Sequence, residues 1–321
     1  MKRRLALGAV LVLALCGGAS AQTYPTKPIK LVVPFTPGGV TDNIGRVFGE
    51  RMGRELGQPL VIDNRAGANG RIGTDLVAKS APDGYTLLLG GIGALTIHPH
   101  MMKVPYDPVN DLIPISLIAT NDVVIVMNPK LPPRTAAEFL AYVKANSGKL
   151  QYGSSGIGAP THLAAEMFKS QVGFDMTHVP YKGDSAAIMD VVSGTVDMSF
   201  STVSATIALI KASKLRAIAV TGLARSQTLP DVPTLDEAGL KGFSADTWIG
   251  LFAPAHTPDP IIKRLYEATK ISLADPDVRQ KLIDGGNNIV GSNTPEFTAF
   301  LATESKKWGT VIRAGNIKLD E

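Results

Sequence analysis

Serines, glycines and one histidine crowd into the stretch Gly153-Ser154-Ser155-Gly156-Ile157-Gly158-Ala159-Pro160-Thr161-His162. Those residue types admit two chemistries. Hydroxyls with a histidine nearby are the raw material of acyl transfer, whereas glycine amides flanked by hydroxyl donors are the raw material of an anion site. Acyl transfer finds little support, because Gly153-Ser154-Ser155-Gly156-Ile157 lacks the last glycine of a G-x-S-x-G elbow. No third group that would orient His162 can be identified either. An exported hydrolase or transferase using Ser155 and His162 is therefore the alternative, and binding is the leading reading. A second loop, Phe35-Thr36-Pro37-Gly38-Gly39-Val40-Thr41-Asp42, has the same character. Phe35 is placed to wall a small pocket, and Gly38 and Gly39 bring backbone amides to a helix start. Asp42, a carboxylate where an anion would sit, reads as scaffold.

Other candidate chemistries fail on spacing. Neither Gly90-Gly91-Ile92-Gly93 nor Gly156-Ile157-Gly158 completes G-x-G-x-x-G, and G-x4-G-K-[ST] is absent, so no nucleotide cofactor is expected. His98 and His100 flank Pro99 without a third ligand. They read as surface histidines in a loop, and no metal is expected. Tyr181 and Lys182 end a strand at the same rim as the serine loop, where Lys182 offers charge to a carboxylate.

The elements that must hold these loops follow from periodicity. Ile29–Val33, Pro59–Asn64 and Tyr85–Leu89 are short apolar runs, each closed by a glycine-rich turn. A helical pattern after the first carries Ile44, Val47, Phe48, Met52 and Leu56 on one face, with Thr41 or Asp42 as its cap. Repeated β-loop-α units predict a doubly wound α/β domain with its ligands beyond the strand C-termini. Two strands abutting through Asn121-Asp122 mark a crossing into a second α/β block, whose helices are expected at Ala136–Ala145, His162–Ser170 and Ser185–Ser193. From Leu229 the chain turns proline-rich and returns through a strand at Asp246–Ala253 to three closing helices. The expected domains are 22–121 with 224–321, and 122–223, joined by a two-strand hinge around a central cleft.

Composition narrows the setting. Residues 1–21 combine Lys2, Arg3 and Arg4, an apolar run from Leu5 to Cys16, and Ala19-Ser20-Ala21, the plan of a secretory signal peptide. A lipid anchor at Cys16 is the rival, disfavoured by Leu15 before it. Removing the three cations from 32 leaves 29 against 28 acidic residues, about +1, which argues against nucleic acid. Cys16 is the only cysteine, so the exported chain would hold no disulfide. No later stretch is long and apolar enough to span or enter a membrane. A soluble, exported monomer is expected.

Tyr24-Pro25, Pro34-Phe35-Thr36-Pro37-Gly38-Gly39 with Asp42, and Val61-Ile62-Asp63-Asn64-Arg65 with Gly67 and Gly70 form the first part of a longer ordered set. Pro82-Asp83-Gly84-Tyr85-Thr86-Leu87, His162-Leu163, Val179-Pro180-Tyr181-Lys182-Gly183, Leu229-Pro230-Asp231-Val232-Pro233-Thr234 and Trp248 with Phe252-Ala253-Pro254-Ala255 continue it. Covering nearly the whole chain after residue 21, this set resembles the Bug/TctC family of periplasmic solute-binding receptors. The resemblance implies a periplasmic-binding-protein fold, type II-like, that captures a small carboxylate and delivers it to the membrane permease of a tripartite tricarboxylate transporter. A sensory role toward a membrane signalling protein is a further alternative. Carried onto this chain, the family's contacts fall on Phe35, Thr36, Gly38 and Gly39, on the Gly91–Leu95 loop including Ile92 and Ala94, and on Ser154, Ser155 and His162. Pro254-Ala255-His256-Thr257-Pro258 departs from the family's Pro-x-Gly-Thr-Pro. The identity of the carboxylate is not encoded in any side-chain pattern.

Overall fold

The computed structural model describes residues 24–318. The expected signal segment and Cys16 lie outside the described residues. Strand β1 (Ile29–Val33) leads into helix α1 (Val40–Leu56), β2 (Leu60–Asn64), α2 (Arg71–Ala78) and β3 (Thr86–Gly91). A π-helical turn at Gly93–Ile97 and the short α3 (His98–Met101) follow, then β4 (Leu112–Asn121). The second half-circuit runs β5 (Val123–Met127), α4 (Ala136–Ala145), β6 (Gln151–Ser154), α5 (Pro160–Val172), β7 (Thr177–Pro180), α6 (Asp184–Ser193), β8 (Met198–Thr202), α7 (Val203–Lys211) and β9 (Arg216–Val220). The chain closes with β10 (Thr247–Pro254), α8 (Asp259–Ala274), α9 (Pro276–Asp284), β11 (Asn288–Ile289) and α10 (Thr294–Ala314).

These strands make two sheets, in the orders β11-β4-β10-β3-β1-β2 and β7-β6-β8-β5-β9. The lobes share one plan. In each, a parallel β-α-β core is interrupted by a strand that runs the other way: β10 is antiparallel to β3 and β4, and β5 is antiparallel to β8 and β9. Strands β10 and β5 both arrive from the opposite lobe, whereas the short β11, also antiparallel to β4, follows α9 within lobe one. Each sheet is thus mixed, because a crossing chain enters its new sheet from the cleft side.

Burial follows the pleat. Leu31, Val33, Leu87 and Leu89 pack with Ile44, Phe48 and Met52 of α1, while Val32 and Leu88 face the other way into a cluster with Trp248, Phe252, Phe297 and Trp308. Both faces of the sheet are covered, which explains the near-continuous apolar runs. Each fully buried Leu or Phe contributes about 1.5–3 kcal/mol relative to exposure. The second cluster continues into Phe139, Phe168 and Phe200 of the other lobe, carried across by α10 and by Phe243 against Phe168.

Local signals explain the element ends. Helix α10 starts in a full capping box of Asn293 and Glu296 with a proline in its first turn, and Asp275 caps α9 through the amides of Asp277 and Val278. Helix α1 departs from expectation. Its N-cap is Gly39, and neither Thr41 nor Asp42 caps it. Gly38 stands at φ +81°, a left-handed conformation that costs a side chain energy and costs glycine nothing. The two crossings run side by side. Asp122 alone separates β4 from β5, and the return passes beside it at Ala245 and Asp246, where the Thr221 carbonyl accepts from the Ala245 amide and the Thr221 hydroxyl donates to Asp246.

Candidate ligand-binding cleft

A cavity of about 450 Å³ opens between the lobes. Its walls are built from element ends. Lobe one supplies Phe35, the α1 start at Val40 and Thr41, Asn69, and Gly91 to Gly93 beyond β3. It also supplies His98, Asn121 at the end of β4, and Thr247 to Ile249 at the start of β10. Lobe two supplies Ser155, Gly158 to Pro160, Lys182, Gly183 and Thr202. Ala159, Gly183 and Thr202 are the N-caps of α5, α6 and α7. Four helices of nine residues or more therefore aim their N-termini at one space. Free amides and the positive ends of helix dipoles make such a space attractive to an anion. Lys182 is exposed and is the one charged side chain among these lining residues.

The residues singled out from sequence divide into two groups. Phe35, Gly91, Ile92, Ser155 and Lys182 line the cavity. Phe35 rests beside Gly70 and its carbonyl accepts from Asn64. The Ser155 hydroxyl lies 2.8 Å from Thr161 Oγ1, and its amide donates to the same atom. Thr36, Gly38, Gly39, Ala94, Ser154, His162 and Tyr181 do not line it. Thr36 is exposed, and Gly38 and Gly39 border a neighbouring groove that meets the cleft at Val40. Ala94 is buried beneath the turn, its carbonyl held by the Tyr106 hydroxyl at 2.8 Å. The Tyr181 hydroxyl is committed to Asp190 at 2.6 Å, and burial, reinforced by that carboxylate, raises its pKa to about 12.

Ser154 and His162 belong to a buried layer under the cleft instead of its surface. Ser154 has no exposed surface and meets His178 Nε2 at 2.7 Å. His162 stacks on His178 at 4.0 Å between ring centroids, and its Nδ1 accepts the Gly158 amide. Burial lowers the pKa of both imidazoles, that of His178 to about 3, so both are neutral at pH 7. Gly158 is a cleft residue, so this layer orients the backbone that faces the ligand. Ser155 and His162 are each held by other partners and do not form a nucleophile–base pair.

Asp42 is a bracket. Its carboxylate accepts from the Gly38 amide at 2.8 Å, Arg46 Nε at 2.9 Å and Asn64 Nδ2 at 2.9 Å, tying the loop after β1 to the end of β2. The bond from Arg46 leads the effects that hold its pKa down to about 2. On the other lobe, Asp184 turns its Oδ2 to the amide and hydroxyl of Thr202, and burial raises its pKa.

Sequence reasoning missed His98, Asn121 and Trp248. His98 reads as a loop histidine beside Pro99, but it is buried, with its pKa lowered to about 4 by burial and by the nearby Arg71. Asn121 and Trp248 sit on strands at the crossings, where only the three-dimensional return of the chain creates a wall. A tryptophan opening an apolar strand was the one available signal.

Comparison with known proteins agrees with this architecture. The model of the tripartite tricarboxylate transporter family receptor, TctC, matches residues 44–317. Protein BugT of Bordetella pertussis is 36% identical over 323 residues, spanning 99% of each chain. The structure of periplasmic binding protein BugD is 35% identical with a TM-score of 0.78, covering 92% of this chain and 99% of that one. The R. palustris protein Rpa4515, solved with adipate, is 32% identical with a TM-score of 0.81 over 92% and 99% of the two chains. Matched from the first helix to the end of the last, the chain belongs to the TctC family of tripartite tricarboxylate transporter receptors.

Proposed function

We propose that this protein is a periplasmic receptor that binds one small carboxylate between its lobes and presents it to a tripartite tricarboxylate transporter permease. The single observation that carries the reading is the convergence of four helix N-termini and Lys182 on one interlobe cavity. A desolvated carboxylate is costly unless it is hydrogen-bonded, and amides from both lobes with one ammonium offset that cost. Because the donors come from both sides, the ligand favours the closed arrangement by its differential affinity, and the permease can distinguish loaded from empty receptor. Membership of the family and the adipate held by a relative support the ligand class.

In this reading lobe two runs from 122 to about 245 and not to the expected 223, because residues 224–245 stay on it through the Val220–Thr234 bridge and Leu229, and the lobes turn about the paired crossings at Asp122 and Asp246. Direct contacts come from Phe35, Gly91, Ile92, Ser155 and Lys182, while Gly38, Gly39, Ser154, His162 and Tyr181 hold the loops that carry them. Residues 1–21 direct export. The receptor works as a monomer and reaches the membrane through its permease; among the described residues no helix is long and apolar enough to cross a membrane. The protein returns its ligand unchanged, as a receptor and not an enzyme.

Titration calorimetry with a panel of small carboxylates tests this directly. One-to-one binding with recovery of unaltered ligand is expected, and Lys182→Met should weaken binding at least tenfold, the loss of one charge-assisted bond. Turnover of the ligand, or equal affinity in the Lys182→Met protein, would overturn the reading.

A further inference from the structure

Lobe one holds a second cavity, of about 420 Å³, and no residue lines both it and the cleft. Gly91 to Gly93 line the cleft while Leu95 and Thr96 line this space, so the π-helical turn is the partition between them. Helix α10 forms another wall and orders its chemistry. Beside the first half of α10, Leu301 and Phe252, which packs on Phe297, make an apolar wall with Leu112 and Pro114. The hydroxyls there are committed, Thr96 to Ile92 O at 2.9 Å and Thr298 to Thr294 O at 2.8 Å. Val109, another lining residue, is 79% exposed, an apolar side chain that the fold leaves uncovered. Further along α10 the wall turns polar. His100 Nε2 and Ser305 Oγ are hydrogen-bonded at 2.8 Å, and an added Cβ on Gly309 would lie 2.9 Å from His100 Nδ1 and 3.2 Å from Arg313 Nη1. An imidazole and a guanidinium therefore meet over one glycine, with Lys306 lining the same space. Among the described residues neither Lys306 nor Arg313 pairs with a carboxylate.

We infer that this cavity is a second ligand site, one for an amphipathic monoanion: an apolar body of about six to ten carbons ending in a single carboxylate. The chemistry of the walls decides the class. The guanidinium can take a carboxylate by two parallel bonds, and no Asp or Glu lines the cavity to receive a cation instead. A second carboxylate on the ligand would lie against leucines, a phenylalanine and committed hydroxyls, a charge without a partner. A short anion such as acetate would leave the apolar wall and Val109 uncovered, and a neutral chain would leave both cations unpaired. His100 reports on the site. Burial, and then the Arg313 charge, lower its pKa, and an anion that neutralises Arg313 relieves the second of those causes.

The test is imidazole NMR of the full mature chain titrated with octanoate, 1-octanol and acetate, the His100 signal being assigned by its loss in His100→Gln. Octanoate should move that signal saturably with a Kd below about 1 mM and raise the His100 pKa, while octanol and acetate act at least tenfold more weakly. Ala302→Trp, which fills the cavity, should abolish the response, and Arg313→Gln should weaken octanoate at least fivefold. Both substituted positions are exposed, and an unchanged urea midpoint shows that each variant is folded. A His100 signal unmoved by octanoate, octanol binding as tightly as octanoate, or an unchanged response in either variant would overturn the site. None of these outcomes bears on the cleft, whose lining residues are all different.

Discussion

Asp246→Asn should stabilise this protein at neutral pH and do little at pH 4. Asp246 stands where the returning chain enters lobe one, within reach of the Thr221 hydroxyl at 3.1 Å and beside Gly222, where an added Cβ would lie 2.7 Å from Asp246 Oδ2 and 3.2 Å from Asp122 Oδ1. Two carboxylates thus border one glycine. Burial and then the Asp122 charge raise the Asp246 pKa from 3.8 to about 7, and burial raises that of Asp122 as well. The folded state therefore binds a proton that the unfolded chain has already released between about pH 4 and 7, and stability falls as pH rises through that window. About three pKa units at 1.36 kcal/mol each set a ceiling of about 4 kcal/mol at pH 8. Asp246 keeps some contact with solvent, so a gain of about 2 kcal/mol is the working expectation. Asn has the shape of the protonated carboxyl and removes the titration.

The assay is urea unfolding of wild type and variant at half-unit steps from pH 4 to 8, read as the difference between the two proteins. Taking the difference matters, because His98 and His178 titrate with the opposite sign. Their folded pKa values are depressed, so each contributes stability above about pH 6.5 that is lost as the pH falls. Those contributions cancel between variant and wild type. A difference that is flat from pH 4 to 8, or one that favours the wild type at pH 8, would refute the argument that burial and Asp122 hold a proton on Asp246.

Other perturbations separate scaffold from site. Asp42→Ala strands the Gly38 amide and Asn64 Nδ2 and should cost about 2 kcal/mol, measured by urea unfolding at pH 7. The folded Asp42 pKa is depressed to about 2, so its contribution is present above pH 4 and fades toward pH 2, where variant and wild type should converge. Gly250→Ala drives a methyl into the Phe297 ring and should lose about 1–3 kcal/mol, with Phe297→Leu restoring part of it in the double variant. Saturating carboxylate should slow amide exchange at residues 121–123 and 245–249, where cleft wall and crossings coincide; protection confined to β2 and β7 would contradict closure about those crossings.

The lobes were legible where local chemistry and final structure coincide. Helix α4 begins and ends at the expected Ala136 and Ala145, since Thr135 caps it and the apolar positions have one clear period. What escaped was set by distant chain. The reversal of β5 and β10 is a property of a crossing and has no local signature, and β11, two residues long, gains its place only by pairing with β4. The cleft repeats this division. Its glycine loops announce themselves, but Gly39, expected to bring its amide to the ligand at a helix start, has an ordinary φ of −76° and borders the neighbouring groove. Asn121 and His98 carry no local signal as cleft residues, and Trp248 only the weak one of a tryptophan opening a strand, because each is separated from the loops by a strand or a helical turn that the fold must first bend back. The anion-seeking half of such a site is written in short motifs because it uses backbone amides at helix starts. The rest of the cleft wall comes from residues on the strands of the crossings, and those become neighbours only when the chain has left one lobe and returned to it.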